Sequence, residues 1–330
     1  MRVRRLLMDY GIAFVFLASL GFVLPRLLPG DPFLAIYGEE AALSMTAEMK
    51  AEIYRRFALD QPWPRQFAAY AGSLLNGELG WSYFFNAPVT KVMAGFLPWT
   101  VLLAGATFLF STLGGFVLGL ESGAHRGGRW DRGLFAGLMV LGGMPDFFVG
   151  TLLLLGFAVI WPVLPLGGAT TVYGGLSGWA WLIDVLRHLA LPLASLVLAR
   201  LTMMYLLCRN SAAALLRAPF LRTALGKGCD ERKVRYHHLG RSVLLPAATS
   251  AGLQLSHLFA GILMIEVVFN YPGMGTLLHR ALAARDYPLL QGILLLGSVT
   301  VLAVNLLVDL AYPILDPRVK PVCISDTKKN

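Results

Sequence analysis

The sequence is poor in charged residues and in cysteine. Only 14% of its 330 residues are Asp, Glu, Lys or Arg, whereas a soluble domain has about 25%. The three cysteines are odd in number and lack metal-ligand spacing, so neither a disulfide framework nor a zinc site is predicted. Because 56% of the residues are hydrophobic and the mean hydropathy is +0.64, we predict an integral membrane protein.

Motifs for nucleotide hydrolysis and for common enzyme reactions are also missing. Gly226-Lys227-Gly228 lacks the upstream glycine and the following hydroxyl residue of a phosphate-binding loop. There is no HExxH or GxSxG motif, and the histidines are scattered apart from His237-His238. We therefore predict no catalytic residue, no bound cofactor and no metal site. If ATP drives the activity of this chain, another chain must hydrolyse it.

Six apolar runs are long enough to cross a bilayer, which takes about 20 residues of helix. They are Tyr10–Leu28, Leu97–Leu120, Leu134–Val159, Leu189–Leu207, Val243–Val268 and Leu289–Tyr312. The predicted fold is therefore an all-α integral membrane protein with six transmembrane helices. The first run is followed by Pro-Arg-Leu-Leu-Pro rather than by a small-residue cleavage site, so we interpret it as an uncleaved anchor.

Positive charge alternates along the chain between these runs. Arginines precede the first run and lie between the second and third, and lysines and arginines follow the fourth and the sixth. Under the positive-inside rule, both termini are predicted to face the cytosol. The net charge of +9 is explained by this orientation, so nucleic-acid binding is not predicted.

The segment between the first two runs is predicted to be helical and to lie outside the membrane. Thr46 can cap an amphipathic helix through Phe57, and a second helix is predicted over Arg65–Leu75. Residues 88–96 are expected to lie along the membrane interface. This region either caps the bundle or receives a partner from outside. The predicted regions are an N-terminal anchor helix (1–28), an extracytoplasmic helical region (29–96), a core (97–316) and a cytoplasmic tail (317–330).

The most basic segment, residues 217–246, lies between the fourth and fifth runs. Pro219 can begin a helix, and Gly226 and Gly228 can break it. Asp230 can then cap a second short helix that leads back to the membrane. Two interpretations are open. The segment is either a positive loop that only fixes orientation, or a docking element for a cytosolic partner.

Small residues and one proline predict how the second and third spans are shaped. Gly115-x-x-x-Gly119 and Gly133-x-x-x-Gly137 have the spacing that lets helix backbones approach closely. Pro145-Asp146 is predicted to kink the third span and to place a carboxyl group beside the kink.

Polar residues in the fifth span recur at intervals of four, three, four and three. They are Ser250, Gln254, His257, Gly261 and Met264. This spacing places them on one helix face, which either lines a solute path or bonds to neighbouring helices. We favour the path, because polar groups inside a membrane are costly and tend to be functional. Asp146 is added as a further candidate for the path.

Many short motifs resemble the permease subunits of the dipeptide/oligopeptide/nickel family of ABC importers, in order and over almost the whole chain. Residues 222–246 resemble that family's cytoplasmic loop, with Thr223-Ala224 in place of its Glu-Ala, then Gly228 and Pro246. Other matches are PGDP at 29–32, LDQPWP at 59–64, GELGWS at 77–82, FLPWT at 96–100, MPDFF at 144–148, EVVFNYPGMG at 266–275, RDYP at 285–288, NLLVD at 305–309 and LDPR at 315–318. The sequence departs from the family at Leu225-Gly226 and in the Gly/Trp-rich segment 167–187.

The resemblance implies a permease of the bacterial inner membrane that pairs with a second, similar permease. It also implies two cytosolic ATPase subunits, which would hold ATP and Mg²⁺, and an extracytoplasmic solute-binding protein. A cytoplasmic coupling helix between the fourth and fifth spans would sit in a groove on an ATPase. The residues that the resemblance assigns to this coupling are Leu221, Arg222, Thr223, Ala224, Gly226, Lys227, Gly228 and Asp230.

Alternatives remain for the solute and for the energy source. Peptides are the commonest cargo of the resembling family, and nickel or a metal chelate is the main alternative. An ion-coupled secondary transporter would instead use Asp146, Arg200, Glu266 and Asp309 as relay groups. A membrane enzyme is disfavoured because no nucleophile and base are clustered, and a structural scaffold would not support solute uptake.

Overall fold

The computed structural model describes residues 2–27, 46, 48, 49, 52 and 61–315, without the side chains of 2–7, 256, 257, 259, 260 and 311–315. This part of the chain is almost entirely helical. Its elements are α1 (Arg2–Leu27), α2 (Trp63–Leu75), β1 (Trp81–Ser82), β2 (Ala87–Pro88), α3 (Val89–Ala124), α4 (Arg129–Gly142), α5 (Asp146–Leu154), α6 (Gly178–Leu215), α7 (Pro219–Gly226), α8 (Glu231–Lys233), α9 (Gly240–Val268), α10 (Met274–Ala283) and α11 (Tyr287–Leu315). Two π-helical segments, Leu155–Ile160 and Val234–Leu239, follow α5 and α8.

Several helices have the length and apolar character of membrane spans. Within the described residues, α1 from Met8 onward, α3, α6 and α11 as far as Leu310 each meet this requirement. The pair of α4 with α5 meets it jointly, which gives four spans, or five if the pair is one. α9 covers the fifth predicted run. An all-α membrane protein is thus supported, whereas the count of six spans stays a prediction.

The kink predicted at Pro145-Asp146 is confirmed, and it is a break between two helices rather than a bend within one. α4 ends at Gly142 and α5 begins at Asp146, and the two helices are bent by 102°. Pro145 precedes α5 with extended backbone angles, φ −59° and ψ 142°. Because proline lacks an N–H and also restricts the residue before it, the helix stops there rather than bending.

Residues 89–96 form the first turns of a long helix rather than a separate segment, and their position along the membrane interface stays a prediction. α3 begins at Val89 and continues through Pro98 to Ala124 as one helix of 36 residues. Val89 is 0% exposed and Met93 is 5% exposed. The first turns of α3 are therefore held by a protein core, and this packing fixes their direction.

Two compact units can be distinguished along the chain, and each has its own core. The first unit comprises Met1–Leu102, Gly167–Ser177 and Ile262–Leu302. The beginnings of α3 and α11 pack there with α10, and their shared core includes Val89, Met93, Met274, Leu277 and Leu290. A Cβ built on Gly292 of α11 would lie 2.6 Å from Val89 Cγ1, so only glycine permits this close approach.

A short hairpin in the first unit is fastened to the start of α11. β1 and β2 pair antiparallel, with Ser82 opposite Ala87. Asp286 caps α11, since its carboxylate accepts the Leu289 N–H at 3.2 Å. The same carboxylate accepts the Ser82 hydroxyl at 2.5 Å and the Phe84 N–H at 3.0 Å. One buried aspartate therefore joins the GELGWS and RDYP motifs.

The second unit comprises Leu103–Leu166, Gly178–Gly261 and Ala303–Asn330. The prediction of close packing at Gly115 and Gly119 is confirmed. A Cβ on Gly115 would lie 2.6 Å from Met204 Cβ, and one on Gly119 would lie 2.7 Å from Cys208 Cβ. Gly123 continues the series, with Ala212 Cβ at 2.7 Å. α3 and α6 thus approach along a row of small residues.

The corresponding prediction for Gly133 and Gly137 is wrong for the part of the chain that the structure describes. A Cβ built on either glycine would meet no atom of the described residues within 4 Å. These two glycines of α4 lie at an open surface there. Gly142, one turn beyond Gly137, is the α4 glycine that does pack closely, with Thr202 Cγ2 at 2.6 Å.

The region after the first span is described only in part. α2 confirms the helix predicted over Arg65–Leu75, and its Phe67 and Tyr70 pack against Phe22 with ring centroids at 5.1 and 5.5 Å. The Met49 N–H donates to Thr46 Oγ1 at 3.3 Å, as expected of a helix cap. The rest of that helix to Phe57, the PGDP motif at 29–32 and the tail 317–330 lie outside the described residues.

Candidate functional site

α7, in the middle of the basic segment 217–246, is a short helix with one buried and one exposed face. Pro219 occupies its first turn, as predicted. Leu221 and Ala224 are 3% and 6% exposed and pack into the core of the second unit. Arg222 and Thr223, which the resemblance assigns to coupling, are exposed. The helix is thus anchored from behind and presents its other face outward.

The end of α7 depends on Gly228. Its φ is +78°, in the left-handed region that glycine adopts without strain. The Cys229 N–H donates to the Ala224 carbonyl at 3.2 Å, and the Gly228 N–H donates to the Leu225 carbonyl at 2.9 Å. This pair of bonds is a Schellman motif, so the predicted glycine break is confirmed at Gly228.

The other predicted features of this turn differ from expectation. Gly226 does not break the helix, because it is the last helical residue, and the exposed Lys227 follows as the cap. Asp230 precedes α8, but within the described residues its side chain makes no capping hydrogen bond. The prediction that the second helix is short is wrong too. α8 continues through Val234–Leu239 into α9, so the chain is helical from Glu231 to Val268.

An ion pair joins this helical stretch to the end of α3. Arg235 Nη1 donates to both carboxylate oxygens of Glu121, at 3.1 and 2.9 Å. The Tyr236 hydroxyl donates to the same carboxylate, and this hydrogen bond raises the pKa of the tyrosine above its usual value. The helical stretch that leads into α9 is therefore tied to α3 as well. Sequence reasoning missed this contact, because the residues lie more than a hundred positions apart.

A second ion pair, which is buried, joins α4 to α6 near the end of α3. The Asp131 side chain is 1% exposed, and its carboxylate accepts Arg209 Nε at 2.6 Å and Arg209 Nη2 at 2.7 Å. The Ser122 hydroxyl and the Gly127 N–H also donate to it. A buried bidentate pair with its remaining lone pairs satisfied fixes geometry strongly, so α3, α4 and α6 are held together at this end.

A cavity of about 650 Å³ lies between α4, α6 and α9 of the second unit. Its polar lining is supplied by Asp146, Arg200, Ser250 and Gln254. Arg200 Nη2 donates to Asp146 Oδ2 at 3.1 Å, and these side chains are 22% and 24% exposed. The cavity can thus offer a positive group, a negative group and an amide to a bound molecule.

The structure brings together part of the predicted polar stripe. Ser250 and Gln254 line the cavity, and a Cβ built on Gly261 would overlap the Arg200 guanidinium. The side chain of His257 lies outside the described residues. Met264, in the first unit, is 61% exposed and does not line this cavity.

Sequence reasoning noted Arg200 as a charge inside a span but did not include it among the site residues. The signal that could have joined it to Asp146 is its opposite charge at membrane depth, where such groups pair.

Comparison with known proteins gives a consistent assignment. Residues 111–321 match the family described as the binding-protein-dependent transport system inner membrane component. The "Probable peptide ABC transporter permease protein" of Sinorhizobium fredii is 33% identical over 299 residues, which cover 91% of this chain and 92% of that protein. The "Di/tripeptide transport system permease protein" of Pseudomonas aeruginosa is 31% identical, covering 91% and 93%. The "Dipeptide transport system permease protein" of Escherichia coli is 30% identical, covering 93% and 95%.

Both the family match, which covers more than half of the chain, and the relatives, which align over nearly all of it, point the same way. The chain therefore belongs to the binding-protein-dependent transport system inner membrane components, the family of the peptide ABC transporter permeases.

Proposed function

We propose that this chain is the permease subunit of an ATP-driven importer of short peptides. It pairs with a second, homologous permease and forms an alternating-access pathway in the bacterial inner membrane, with both termini in the cytosol. Two cytosolic ATPase subunits, which bind ATP and Mg²⁺, drive it. An extracytoplasmic binding protein delivers the solute. Peptide is favoured over nickel or a metal chelate because the relatives named above are peptide permeases.

The observation that carries the proposal is the form of α7. Its buried face, with Leu221 and Ala224, belongs to the core of the second unit, while Arg222 and Thr223 remain exposed to a partner. The helix is closed by the Gly228 turn and continues after Asp230 into a long unbroken helix. A lever of this kind transmits a rigid-body movement without dissipating it in a flexible loop.

The energy required explains why the proposed motor is a separate assembly. Shifting a two-state pathway from 1:99 to 99:1 takes about 5.5 kcal/mol of differential binding. A helix of eight residues with one exposed face supplies only part of this. The remainder is assigned to closure of the two ATPases around ATP.

The test is reconstitution of the complex in liposomes with labelled dialanine as solute. Uptake is expected to require the binding protein outside, ATP at the ATPases, and both permeases. Uptake by the two permeases without ATPases would identify an ion-coupled transporter and overturn the proposal. Uptake of nickel–histidine in place of dialanine would retain the importer but replace the solute.

A further inference from the structure

Three arginines of the second unit pair with a carboxylate in the part of the chain that the structure describes, and one pair is unlike the others. Arg209 and Arg235 each make two contacts with their acidic partners, and further donors satisfy those partners. Arg200 makes one contact, from Nη2 to Asp146 Oδ2 at 3.1 Å. This pair uses one of the five N–H donors of the guanidinium.

The Arg200 pair is also incompletely satisfied. Arg200 Nε is buried and has no hydrogen-bond partner among the described residues. A buried donor without a partner is costly, so such groups in native structures call for an explanation. The Asp131 side chain, by contrast, is 1% exposed and accepts four hydrogen bonds. The Arg209 pair is enclosed and structural, whereas the Arg200 pair is partly exposed and leaves one buried donor unpaired among the described residues.

Both members of the pair line the cavity of about 650 Å³, a volume within the range of about 300–1,000 Å³ typical of small-ligand pockets. The cavity wall combines the charged pair and the amide of Gln254 with apolar side chains such as Met139, Met203 and Leu206. Methionine side chains adapt to ligands of different shape. The polar lining therefore selects for the charges of a ligand, whereas the apolar lining accepts apolar groups of different shapes.

We propose that Arg200 and Asp146 bind the two charged ends of a short peptide, Arg200 its carboxylate and Asp146 its ammonium group. This proposal rests on the proposed function and names the two groups of the solute that the cavity recognises. A zwitterion replaces the internal ion pair without leaving either charge unpaired, so the two new ion pairs offset the cost of desolvating its charged ends. A molecule with a single charge pairs with one of the two residues and leaves the other unpaired. Gln254 is placed to meet the peptide bond, and the apolar wall accommodates varied side chains.

Gly261 positions the pair. A Cβ built there would overlap Arg200 Nη2 and lie 2.7 Å from Asp146 Oδ2. The backbone of α9 therefore forms the wall behind both charged groups, and only glycine lets it come so close. A side chain at this position would displace the ends of both charged side chains from their present contact.

The experiment measures peptide binding by the complex of both permeases and ATPases in nanodiscs, without the binding protein, so that the permease alone discriminates. Labelled dialanine is the probe, and dialanine amide and N-acetyl-dialanine are the competitors. We expect each blocked peptide to compete at least about tenfold less well than dialanine, since each lacks one of the two charged contacts. Arg200→Gln should remove the preference over the amide only, and Asp146→Asn the preference over the N-acetyl peptide only.

Arg187→Gln is the matched control, because Arg187 lies on the same helix, is exposed and donates to the Val163 carbonyl rather than to an acidic group. It should keep both preferences. A wild-type complex that binds all three peptides equally overturns the proposal without any variant. So does a loss of affinity for all three alike in Arg200→Gln, which is the behaviour of a purely structural pair. ATP-driven uptake of dialanine by the same complex in liposomes, with the binding protein outside, separates these results from a failure of the proposed function.

Discussion

Arg235 contacts both carboxylate oxygens of Glu121, at 2.9 and 3.1 Å, and thereby joins the helical stretch after α7 to the C-terminal end of α3. Gly240 packs nearby, where a Cβ would lie 3.4 Å from Leu120 Cδ2. The exposed helix α7, the proposed contact of the ATPases, is therefore attached to two long helices rather than one. In this arrangement a movement of α7 is shared between α3 and α9.

The first prediction concerns the coupling through this pair. Glu121→Gln should lower solute-stimulated ATP hydrolysis several-fold in the reconstituted complex, because α3 no longer follows α7. The side chains of the pair are 18% and 23% exposed, so the loss of thermal stability should be small, about 1 kcal/mol. Stimulated and basal ATPase rates, measured beside a melting curve, separate the two effects.

Arg235→Gln and the double variant of Glu121→Gln with Arg235→Gln complete a double-mutant cycle that tests the same prediction. Because the residues are in direct contact, the double variant should be no worse than either single variant. Strictly additive losses in stimulated ATPase activity would show that Glu121 and Arg235 act independently and that the pair does not couple the helices.

The second prediction concerns the turn at Gly228. Gly228→Val should abolish solute-stimulated ATP hydrolysis while the permease remains inserted, because a β-branched residue resists the left-handed φ of +78°. The strain is about 1–2 kcal/mol and unwinds the last turn of α7. Space is not the cause, since a Cβ there would meet no atom of the described residues within 4 Å.

Gly226→Ala is the control for this turn. Gly226 is helical and equally open within the described residues. Alanine favours a helix over glycine by about 1 kcal/mol, so this variant should keep α7 and its stability. Because the resemblance assigns Gly226 to coupling, a change in its stimulated ATPase activity would report a contact with the ATPase and not the turn. If both variants lose stimulation to the same degree, the left-handed turn is not the reason.

The sequence allowed the parts of this structure that depend on local chemistry to be predicted. The Pro219 start of α7, the Gly228 turn and the Gly115–Gly119 packing follow from the backbone preferences of proline and glycine and from helical spacing. The placement of Ser250 and Gln254 on one face followed from the same helical period.

Features that depend on distant partners could not be predicted in this way. Pro145 indicated an irregularity, but the 102° turn depends on how α4 and α5 each pack. Gly133 and Gly115 share the same motif, yet only Gly115 meets a neighbouring helix among the described residues. Arg200 and Asp146 are 54 positions apart, and nothing local shows that they meet.

The third prediction concerns the row of small residues between α3 and α6. Gly119→Ala should destabilise the permease by about 1–3 kcal/mol, because the new methyl group would lie 2.7 Å from both Cys208 Cβ and the Tyr205 carbonyl oxygen. Gly105→Ala on the same helix is the control, since its Cβ would meet no described atom within 4 Å. Melting temperatures of both variants in detergent test the difference. Equal melting temperatures would mean that α3 and α6 do not pack as described.

The fourth prediction decides whether Glu266 is a structural or a relay group. The residue is 0% exposed, and its carboxylate accepts the Thr100 hydroxyl at 2.6 Å and the Gly275 N–H at 2.5 Å. The Thr100 hydroxyl in turn accepts the Met274 N–H at 2.7 Å. Glu266 and Thr100 therefore cap the start of α10, where Gly273 has no side chain to do so.

A capping role predicts a graded response to substitution at Glu266. Glu266→Gln keeps one oxygen as an acceptor and should retain most peptide uptake, with a stability loss of about 1 kcal/mol. Glu266→Ala leaves a buried hydroxyl and a buried N–H unpaired, and each costs about 1–3 kcal/mol, so melting temperature and uptake should fall together. A proton relay predicts the opposite pattern, because glutamine cannot carry a proton. Glu266→Gln would then abolish uptake at an unchanged melting temperature, and Glu266 would have to be reassigned from the cap of α10 to the transport reaction.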